Sequence, residues 1–190
     1  FSYFHTADTI YLEAHENYQK RSYRNRAHLV GANGLQRLSI PLKKGKNQQQ
    51  TIQDVKIAYH ESWHRQHWQS IISAYGNAPF FPFYADELAP IYEQQYDKLW
   101  DFNLSLLKLV FRLLQWDKAI QLTEGYHHSY AKETCDIRNT IRPNIATADK
   151  FPPYPQVFTE RHGFSSNLSI LDLLFCQGPQ ANLYLSQISL

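Results

Sequence analysis

The sequence predicts a single-domain α/β (or α+β) protein, in which several helices cover a small mixed sheet with a hairpin. Short β-prone runs alternate with long stretches of helical periodicity, and this alternation favours α/β layering over a helical bundle. An Asn-Gly pair at 33–34 separates two β-prone runs, as in a hairpin. The 190 residues can bury a substantial core, and neither an internal repeat nor a second core divides them, so one domain is expected over 1–190.

The first half supplies most of the predicted strands. Residues 10–13 (IYLE) are short, apolar and β-prone, and they predict a strand. Residues 27–42 predict the hairpin, with Asn33-Gly34 in a type I′ turn because these residues tolerate positive φ. The alternating run 54–59 (DVKIAY) predicts a further strand.

Helical periodicity dominates the middle of the chain. An apolar stripe over 63–75 predicts a helix that Pro79 ends. Further helices are predicted over 86–95 and 96–116, the latter apolar on two faces and therefore central. Residues 119–123 (AIQLT) predict a buried strand.

The last third predicts an irregular segment followed by two helices. Residues 125–161 contain several prolines, and a long irregular run of this kind is often functional. Residues 166–175 predict a short apolar helix that Gly178-Pro179 stops, and 180–188 predict a closing helix.

Composition excludes several classes of protein. The formal charge of +2 argues against binding along a nucleic-acid backbone, and no apolar run approaches the ~18 residues needed for membrane insertion. The chain opens with no secretory leader, and its two cysteines, Cys135 and Cys176, are normal for a reducing cytoplasm. A cytoplasmic protein is therefore expected. The lack of any methionine leads us to expect a fragment, or a chain from which modified residues are missing.

The residues His60-Glu61-x-x-His64 have the spacing of zinc peptidases. Such a site needs both histidines on one helix, so that they face the same metal. Here extended structure is predicted up to residue 59 and Ser62 is the natural N-cap, which leaves His60 and Glu61 before the helix. An accidental match and no catalytic metal are therefore predicted, with a zinc hydrolase using these three residues as the alternative.

Polar residues at five other places are candidates for chemistry. The first is the loop after the first strand, because ligands bind beyond the carboxyl ends of strands; it contains His15, Glu16, Tyr18, Lys20, Asn25 and Arg26. A solvated connection is the alternative reading of this loop. The second is Asp136 with Arg138, which either pair with each other or hold an anionic substrate.

His67 and Asp172 both lie among apolar neighbours. His67 is either a hydrogen-bonded core histidine or a site histidine at the edge of a cleft. Asp172 needs a cation or hydrogen-bond donors, and a structural anchor is expected. His162, in the irregular region, completes the candidates. Neither a nucleophile elbow nor a nucleotide-binding glycine loop occurs, so no cofactor is predicted.

Seven ordered segments carry a resemblance to a known family. They are ENYQKRSYRNR, SIPL at the end of the hairpin, DVKI, HW…AYGNAPFF, DIRN, YPQVF and NLSILDLLF with its following GP. Together they resemble the WbqC-like family over almost the whole chain, most closely its members from the Bacteroidetes. That family usually begins with a strand and a Pro-containing turn before the helix of residues 2–4, so the resemblance implies that the N-terminal strand is missing.

The resemblance also implies a function. Members of the family occur in gene clusters for O-antigen and other surface polysaccharides, and a glycine or related acyl transfer to an amino sugar is implied. By position, the matching polar residues are Lys20, Asn25, Arg26, His67, Asp136, Arg138 and Asp172.

We therefore expect a transferase that acts on an amino sugar or a sugar nucleotide. Catalytic roles are assigned to His67 as general base, with Lys20 and Asp136. Substrate-binding roles are assigned to Tyr18, Asn25, Arg26, Arg138 and His162, the two arginines holding phosphates. Asp172 and Trp68 are expected to support the site. The alternative is a non-catalytic carbohydrate- or partner-binding module, based on the aromatic segment 75–84; the oligomeric state stays open.

Overall fold

The computed structural model describes residues 1–45, 49–131, 134–141 and 151–188. The elements in chain order are α1 (Ser2–Thr6), β1 (Ile10–Leu12), β2 (Arg26–Gly31), β3 (Gly34–Ser39), α2 (Trp63–Tyr75), α3 (Phe81–Glu93), α4 (Leu99–Leu113), β4 (Ile120–Leu122), α5 (Thr159–His162), α6 (Ile170–Gln177) and α7 (Ala181–Ser186). Helices thus cover a small amount of sheet, and the predicted mixed α/β class is confirmed.

The strands form two separate pairs. β1 and β4 are parallel, with Ile10 opposite Ile120, and β2 and β3 form an antiparallel hairpin. Within the described ranges the two pairs share no hydrogen-bonded edge. A parallel pair needs a long crossover, and here the crossover contains the hairpin and three long helices.

The hairpin turn differs from the predicted type I′. That turn requires positive φ at both central residues, and Asn33 does not have it. Gly34 alone takes φ +98°, directly after the two turn residues Ala32 and Asn33. Glycine therefore supplies the left-handed residue at the start of β3, where a Cβ would be strained.

Residues 55–59 are extended, but the strand predicted over 54–59 is wrong. A short 3₁₀ helix, Ile52–Asp54, precedes them, and single bridges then join Ile57 to Leu42 and Lys56 to Lys98. Because the segment bonds one side to the loop after β3 and the other side to the start of α4, no continuous ladder forms. The alternation of polar and apolar residues over 54–59 reflects the position of this segment between the loop after β3 and the start of α4.

Most of the predicted helices are confirmed, with shifted ends. α2 begins at Trp63 with Ser62 in the N-cap position, as predicted. α3 begins five positions before the predicted 86, because Pro82 is tolerated in the first helical turn. The predicted closing pair over 166–175 and 180–188 corresponds to α6 and α7.

One hydrophobic core forms where α2, α3, α4 and α6 pack with the hairpin. Fully buried side chains from these elements include Leu29, Ile71, Leu88, Leu99 and Phe175. The predicted burial of 119–123 is wrong, since Leu122 is 46% exposed. No helix among the described residues is both long enough and apolar enough to cross a membrane.

Part of the segment predicted to be irregular, 132–133 and 142–150, lies outside the described residues. In the described remainder of 125–161, regular structure begins only with α5. Residues 134–141 and 151–158 therefore pack as extended chain and turns.

Candidate functional site

The parallel strands β1 and β4 end at the same edge, and the loops that follow them are tied together there. The Thr123 backbone N–H donates to the Leu12 carbonyl at 3.1 Å. The Thr123 hydroxyl accepts from the Ala14 N–H at 3.1 Å and donates to Glu13 Oε1 at 2.9 Å. The carboxyl ends of parallel strands are where α/β proteins bind ligands.

A cleft of about 670 Å³ opens between these two loops. It is lined by residues 15–20 on one side and by Tyr126 and His128 on the other. This volume lies within the range of about 300–1,000 Å³ that is typical of small-molecule sites. The first loop is held in place by backbone bonds from Tyr18 to Gln50 (3.0 Å) and from Ile52 to Glu16 (2.8 Å). The cleft is therefore a supported feature of the fold.

Arg138 packs beside the cleft and is saturated with protein partners. Its guanidinium binds Asp136 through Nε (2.9 Å) and Nη2 (2.6 Å), and Nη1 donates to Glu13 Oε2 at 3.0 Å. The rings of Tyr126 and Tyr130 lie 5.0 and 4.8 Å from the guanidinium carbon. The hydrogen bonds to Asp136 raise the pKa of Arg138, and the same contact lowers the pKa of Asp136. Of the two interpretations open for this pair, the geometry matches mutual pairing.

Glu13, at the end of β1, connects the loops to this arginine. Burial alone would raise the pKa of Glu13, but hydrogen bonds from His15, Thr123, Tyr130 and Arg138 outweigh it, and the pKa is lowered. Glu13 is thus an ionised carboxylate with four donors around it.

Glu16 lines the cleft, but its charge is already matched. Arg24 donates to it through Nε at 2.6 Å and through Nη2, and also donates to the Arg138 carbonyl at 3.2 Å. Because this pair is nearly buried, the negative charge of Glu16 is compensated before any ligand enters. Lys20 is exposed in the cleft, and none of the described residues pairs with it. Lys20 therefore adds one unpaired positive charge to the lining of the cleft.

His15 has a defined orientation in the cleft. Its Nε2 lies 3.0 Å from the Thr123 carbonyl oxygen. A carbonyl only accepts, so Nε2 carries the proton, and Nδ1 of the neutral ring holds the lone pair. The ring of His128 lies 5.4 Å from that of Tyr126, which is 46% exposed. An oriented imidazole and an exposed aromatic ring thus face the same space.

A second group of candidates lies between the hairpin and α2. His67 is 8% exposed and bonds the backbone of Ser39, the residue opposite Arg26 in the hairpin. Burial lowers the pKa of His67 to about 4 against the opposing effect of the Ser39 bond, so the ring is neutral at pH 7. Asn25 donates to the Ile40 carbonyl at 2.9 Å. None of these residues belongs to the lining of the cleft.

Asp172 is fully buried in the core on α6. It accepts hydrogen bonds from the hydroxyls of Tyr75 (3.0 Å) and Tyr154 (2.5 Å) and from the Gln156 amide (2.9 Å). These three donors hold the extended segment before α5 against α2 and α6. The geometry is that of a structural anchor.

The last two candidates also make packing contacts. Trp68 stacks on Tyr92 and Phe81, with ring centroids 5.7 and 6.3 Å apart. His162 meets the tip of the hairpin, where its Nε2 lies 3.1 Å from the Ala32 carbonyl.

The zinc-peptidase spacing falls across the start of a helix. α2 begins at Trp63, so His60 and Glu61 precede it, as predicted, and cannot share a helix face with His64. His60 and Glu61 are exposed and 3.6 Å apart. No three His, Cys, Asp or Glu side chains among the described residues are grouped as a metal site.

The structure thus places some of the predicted site residues at the cleft and others elsewhere. Tyr18 and Lys20 belong to the cleft, with Asp136 and Arg138 packed beside Tyr126. Sequence reasoning missed Glu13 and Arg24. A charged residue directly after a buried strand was a usable signal for Glu13, whereas the partner of Arg24 depends on how the loop folds back.

Comparison with known proteins identifies the family of this chain. The chain matches the WbqC-like protein family over residues 1–140 and 127–184. It is 30% identical over 196 residues to Rv1507c of Mycobacterium tuberculosis, a protein described as uncharacterised, and the match covers 88% of this chain and 83% of that protein. No solved structure matches the chain. On the extent of these two matches, the chain belongs to the WbqC-like protein family.

Proposed function

We propose that this WbqC-like protein is a cytoplasmic transferase that binds an amino sugar, as a sugar nucleotide, in the cleft between 15–20 and Tyr126. The reaction is transfer of an amino-acyl group, glycyl or related, to the sugar amine during assembly of a surface polysaccharide. The position and charge of the cleft support the binding of an anionic small molecule. The acyl transfer and the polysaccharide context rest on the family resemblance.

His15 is the base in this proposal. The sugar amine attacks the acyl carbon, the new C–N bond forms, the bond to the leaving group breaks, and the ammonium proton passes to Nδ1 of His15. The Thr123 carbonyl orients the ring for this role, as a third group orients the base in other acyl transferases. His67 was the candidate from sequence, but it lies outside the lining of the cleft.

Lys20 and Tyr126 supply binding. The exposed ammonium of Lys20 pairs with a phosphate, and the half-exposed ring of Tyr126 offers a stacking face for a sugar or a base. Asp136 and Arg138 hold that ring in place from behind.

Binding is tested by thermal shift with uridine diphosphate glucosamine, whose free amine is the acceptor. The wild type is expected to be stabilised, and Lys20→Ala to bind about tenfold more weakly, as expected for a charge-assisted contact of about 1.5 kcal/mol. Lys108→Ala, an exposed lysine on α4, is the matched control and should bind like the wild type. If no nucleotide-linked amino sugar stabilises the wild type, the proposal is wrong.

Catalysis is tested with the same acceptor and a glycyl thioester, with the product followed by mass spectrometry. His15→Gln should lower the rate at least about a hundredfold, the usual contribution of a general base. His60→Gln, in the exposed turn before α2, should leave the rate unchanged. Equal rates for His15→Gln and the wild type would remove His15 from the mechanism.

A non-catalytic carbohydrate-binding module is the second candidate. The aromatic segment 75–84 no longer supports it well, because Tyr75 is buried and Phe81 packs on Phe175; only Phe83, 72% exposed, is open. The observation in its favour is the exposed ring of Tyr126 in the cleft. Binding of free glycans without turnover, lost in Tyr126→Ala, would establish this function.

A further inference from the structure

Unpaired buried polar atoms are concentrated in one layer of the molecule. Within the described part of the chain, five buried side-chain nitrogen or oxygen atoms have no hydrogen-bond partner: Asn25 Oδ1, Arg26 Nε, Ser39 Oγ, Trp63 Nε1 and His64 Nδ1. All five come from the two ends of the hairpin or from the first turn of α2. Buried polar groups are nearly always paired, and a cluster of exceptions requires an explanation such as a ligand.

These residues form one continuous strip. Arg26 and Ser39 are opposite each other in the hairpin, and Asn25 is fixed next to them by its bond to the Ile40 carbonyl. His67 bonds the Ser39 backbone, and its ring lies 5.0 Å from that of Trp63. The open hydrogen-bonding positions therefore lie along a single polar interface between the hairpin and α2.

Arg26 differs from the other two arginines of this region in having no carboxylate. Arg24 is paired with Glu16, and Arg138 with both Asp136 and Glu13. No described residue forms an ion pair or a side-chain hydrogen bond with the half-buried guanidinium of Arg26. A cation withdrawn from water without a counter-charge is costly, so its position fits an anion supplied from outside the protein.

The charge of Arg26 also reaches the cleft. It acts on Tyr18, one of the residues that line the cleft, and lowers the phenol pKa against the larger, raising effect of burial. Tyr18 is thus a residue of the cleft lining that lies within electrostatic range of Arg26. A ligand in the cleft with an anionic end is within electrostatic reach of this guanidinium.

We propose that Arg26 and the Ser39 hydroxyl bind a phosphate group of the ligand, with Asn25 Oδ1 accepting from a neighbouring hydroxyl of the sugar. The assignment rests on the proposed function for the identity of the whole ligand, but not for the phosphate site itself. Both Arg26 and Arg138 were expected from sequence to hold phosphates; the partners of Arg138 leave this role to Arg26. Guanidinium groups bind phosphate in a bidentate geometry, which Arg26 has free donors to form.

Pyrophosphate is the probe that tests the site without a sugar. Arginine Nε–Hε resonances are recorded in ¹⁵N-labelled protein, and the spectrum of Arg26→Gln identifies the Arg26 signal. Addition of pyrophosphate should shift this signal in a saturable manner. If millimolar pyrophosphate shifts other arginine signals but leaves that of Arg26 in place, the site does not exist.

Affinity is measured by calorimetry with pyrophosphate and with uridine diphosphate glucosamine. Arg26→Gln should bind either one about ten- to a hundredfold more weakly, the effect of losing a charge-assisted hydrogen bond. Arg37→Gln is the matched control, since Arg37 is an exposed arginine of the same hairpin, and it should bind like the wild type. Circular dichroism establishes that both variants are folded; if Arg26→Gln is not, Ser39→Ala takes its place, with weaker binding expected.

The two proposals fail in different ways. A saturable shift of the Arg26 signal by pyrophosphate, with no binding of any sugar nucleotide, would retain the phosphate site and reject the transferase. Binding of the sugar nucleotide that weakens in Lys20→Ala but is unchanged in Arg26→Gln would retain the cleft ligand and reject this role for Arg26.

Discussion

Glu13 and Arg138 form a 3.0 Å ion pair although 125 positions separate them in the chain. Glu13 directly follows β1, and Arg138 lies in a turn within the segment 134–141. Glu13 also accepts from Thr123, which directly follows β4. One carboxylate therefore fastens both loops of the cleft and the chain segment beside them.

Glu13→Gln should destabilise the protein at neutral pH. The change removes one of the two carboxylates of Arg138, and we expect a loss of about 1–3 kcal/mol in the free energy of unfolding, measured with urea. The pKa of Glu13 is lowered from 4.5, so its contribution is present above pH 4.5 and is lost as the pH falls. The difference in the free energy of unfolding between wild type and Glu13→Gln should therefore decrease as the pH falls from 7 to 3.

Glu124→Gln is the control for this prediction. Glu124 is exposed in the loop after β4, and its substitution should change the free energy of unfolding by less than about 0.5 kcal/mol. If the free energies of unfolding of wild type and Glu13→Gln differ by the same amount at pH 3 and at pH 7, the proposed charge state of Glu13 is contradicted.

His67 should make the protein less stable in mild acid. Its pKa is lowered from 6.5 to about 4, chiefly by burial, so the neutral ring contributes stability above pH 6.5 that disappears as the pH falls towards 4. The full effect is about 3 kcal/mol. His67→Gln, compared with His60→Gln, should flatten the pH dependence of the free energy of unfolding in this range. Parallel curves for all three proteins would show that His67 does not titrate as described.

Asp172→Asn should test the buried carboxylate on α6. The amide turns an N–H₂ group towards donors, and about 1–3 kcal/mol of stability is lost at pH 4. Burial raises the pKa of Asp172 above 3.8 against its hydrogen bonds to Tyr154, Gln156 and Tyr75. The raised pKa stabilises the wild type below 3.8, and this contribution declines as the pH rises. The difference in the free energy of unfolding between wild type and Asp172→Asn should thus decrease from pH 4 to pH 8. A difference that increases over this range would contradict the raised pKa of Asp172.

Gly178→Ala should be strongly destabilising, because Gly178 has φ +52° and an added Cβ would collide with the ring of Phe80. Overpacking alone costs about 1–3 kcal/mol, and the left-handed conformation about 1–2 more. Gly125→Ala is the control, since no atom lies within 4 Å of its added Cβ. Equal melting temperatures of the two variants would contradict the packing at the end of α6.

Local signals in the sequence predicted local structure well. The apolar stripe that begins at Trp63 predicted the start of α2 correctly, because such a stripe depends only on neighbouring residues; Ser62 occupies the N-cap position, but its side chain makes no capping hydrogen bond. The rule for strand ends located the loop containing Lys20, which lines the cleft. That His67, Asp136 and Arg26 act in catalysis or binding stays a prediction, and so does the extent of the domain over 1–190.

Long-range pairing was the part that sequence reasoning could not supply. The alternation in 54–59 is real, but its residues bond two different segments, and periodicity does not show which partner a residue has. Likewise, Glu16 and Arg24 meet only because the loop between them turns back. Strand 119–123 was predicted buried from its composition, yet among the described residues β4 pairs with the three-residue strand β1, which covers little of it.

The two walls of the cleft come from parts of the chain that lie more than a hundred positions apart, and this sets the order in which the cleft can form. During synthesis residues 15–20 leave the ribosome more than a hundred positions before Tyr126. The cleft therefore stays incomplete until the later residues have been synthesised and packed. In refolding experiments, helical circular dichroism should return before the protein regains its capacity to capture ligand. Ligand capture would then serve as a late marker of chain maturation.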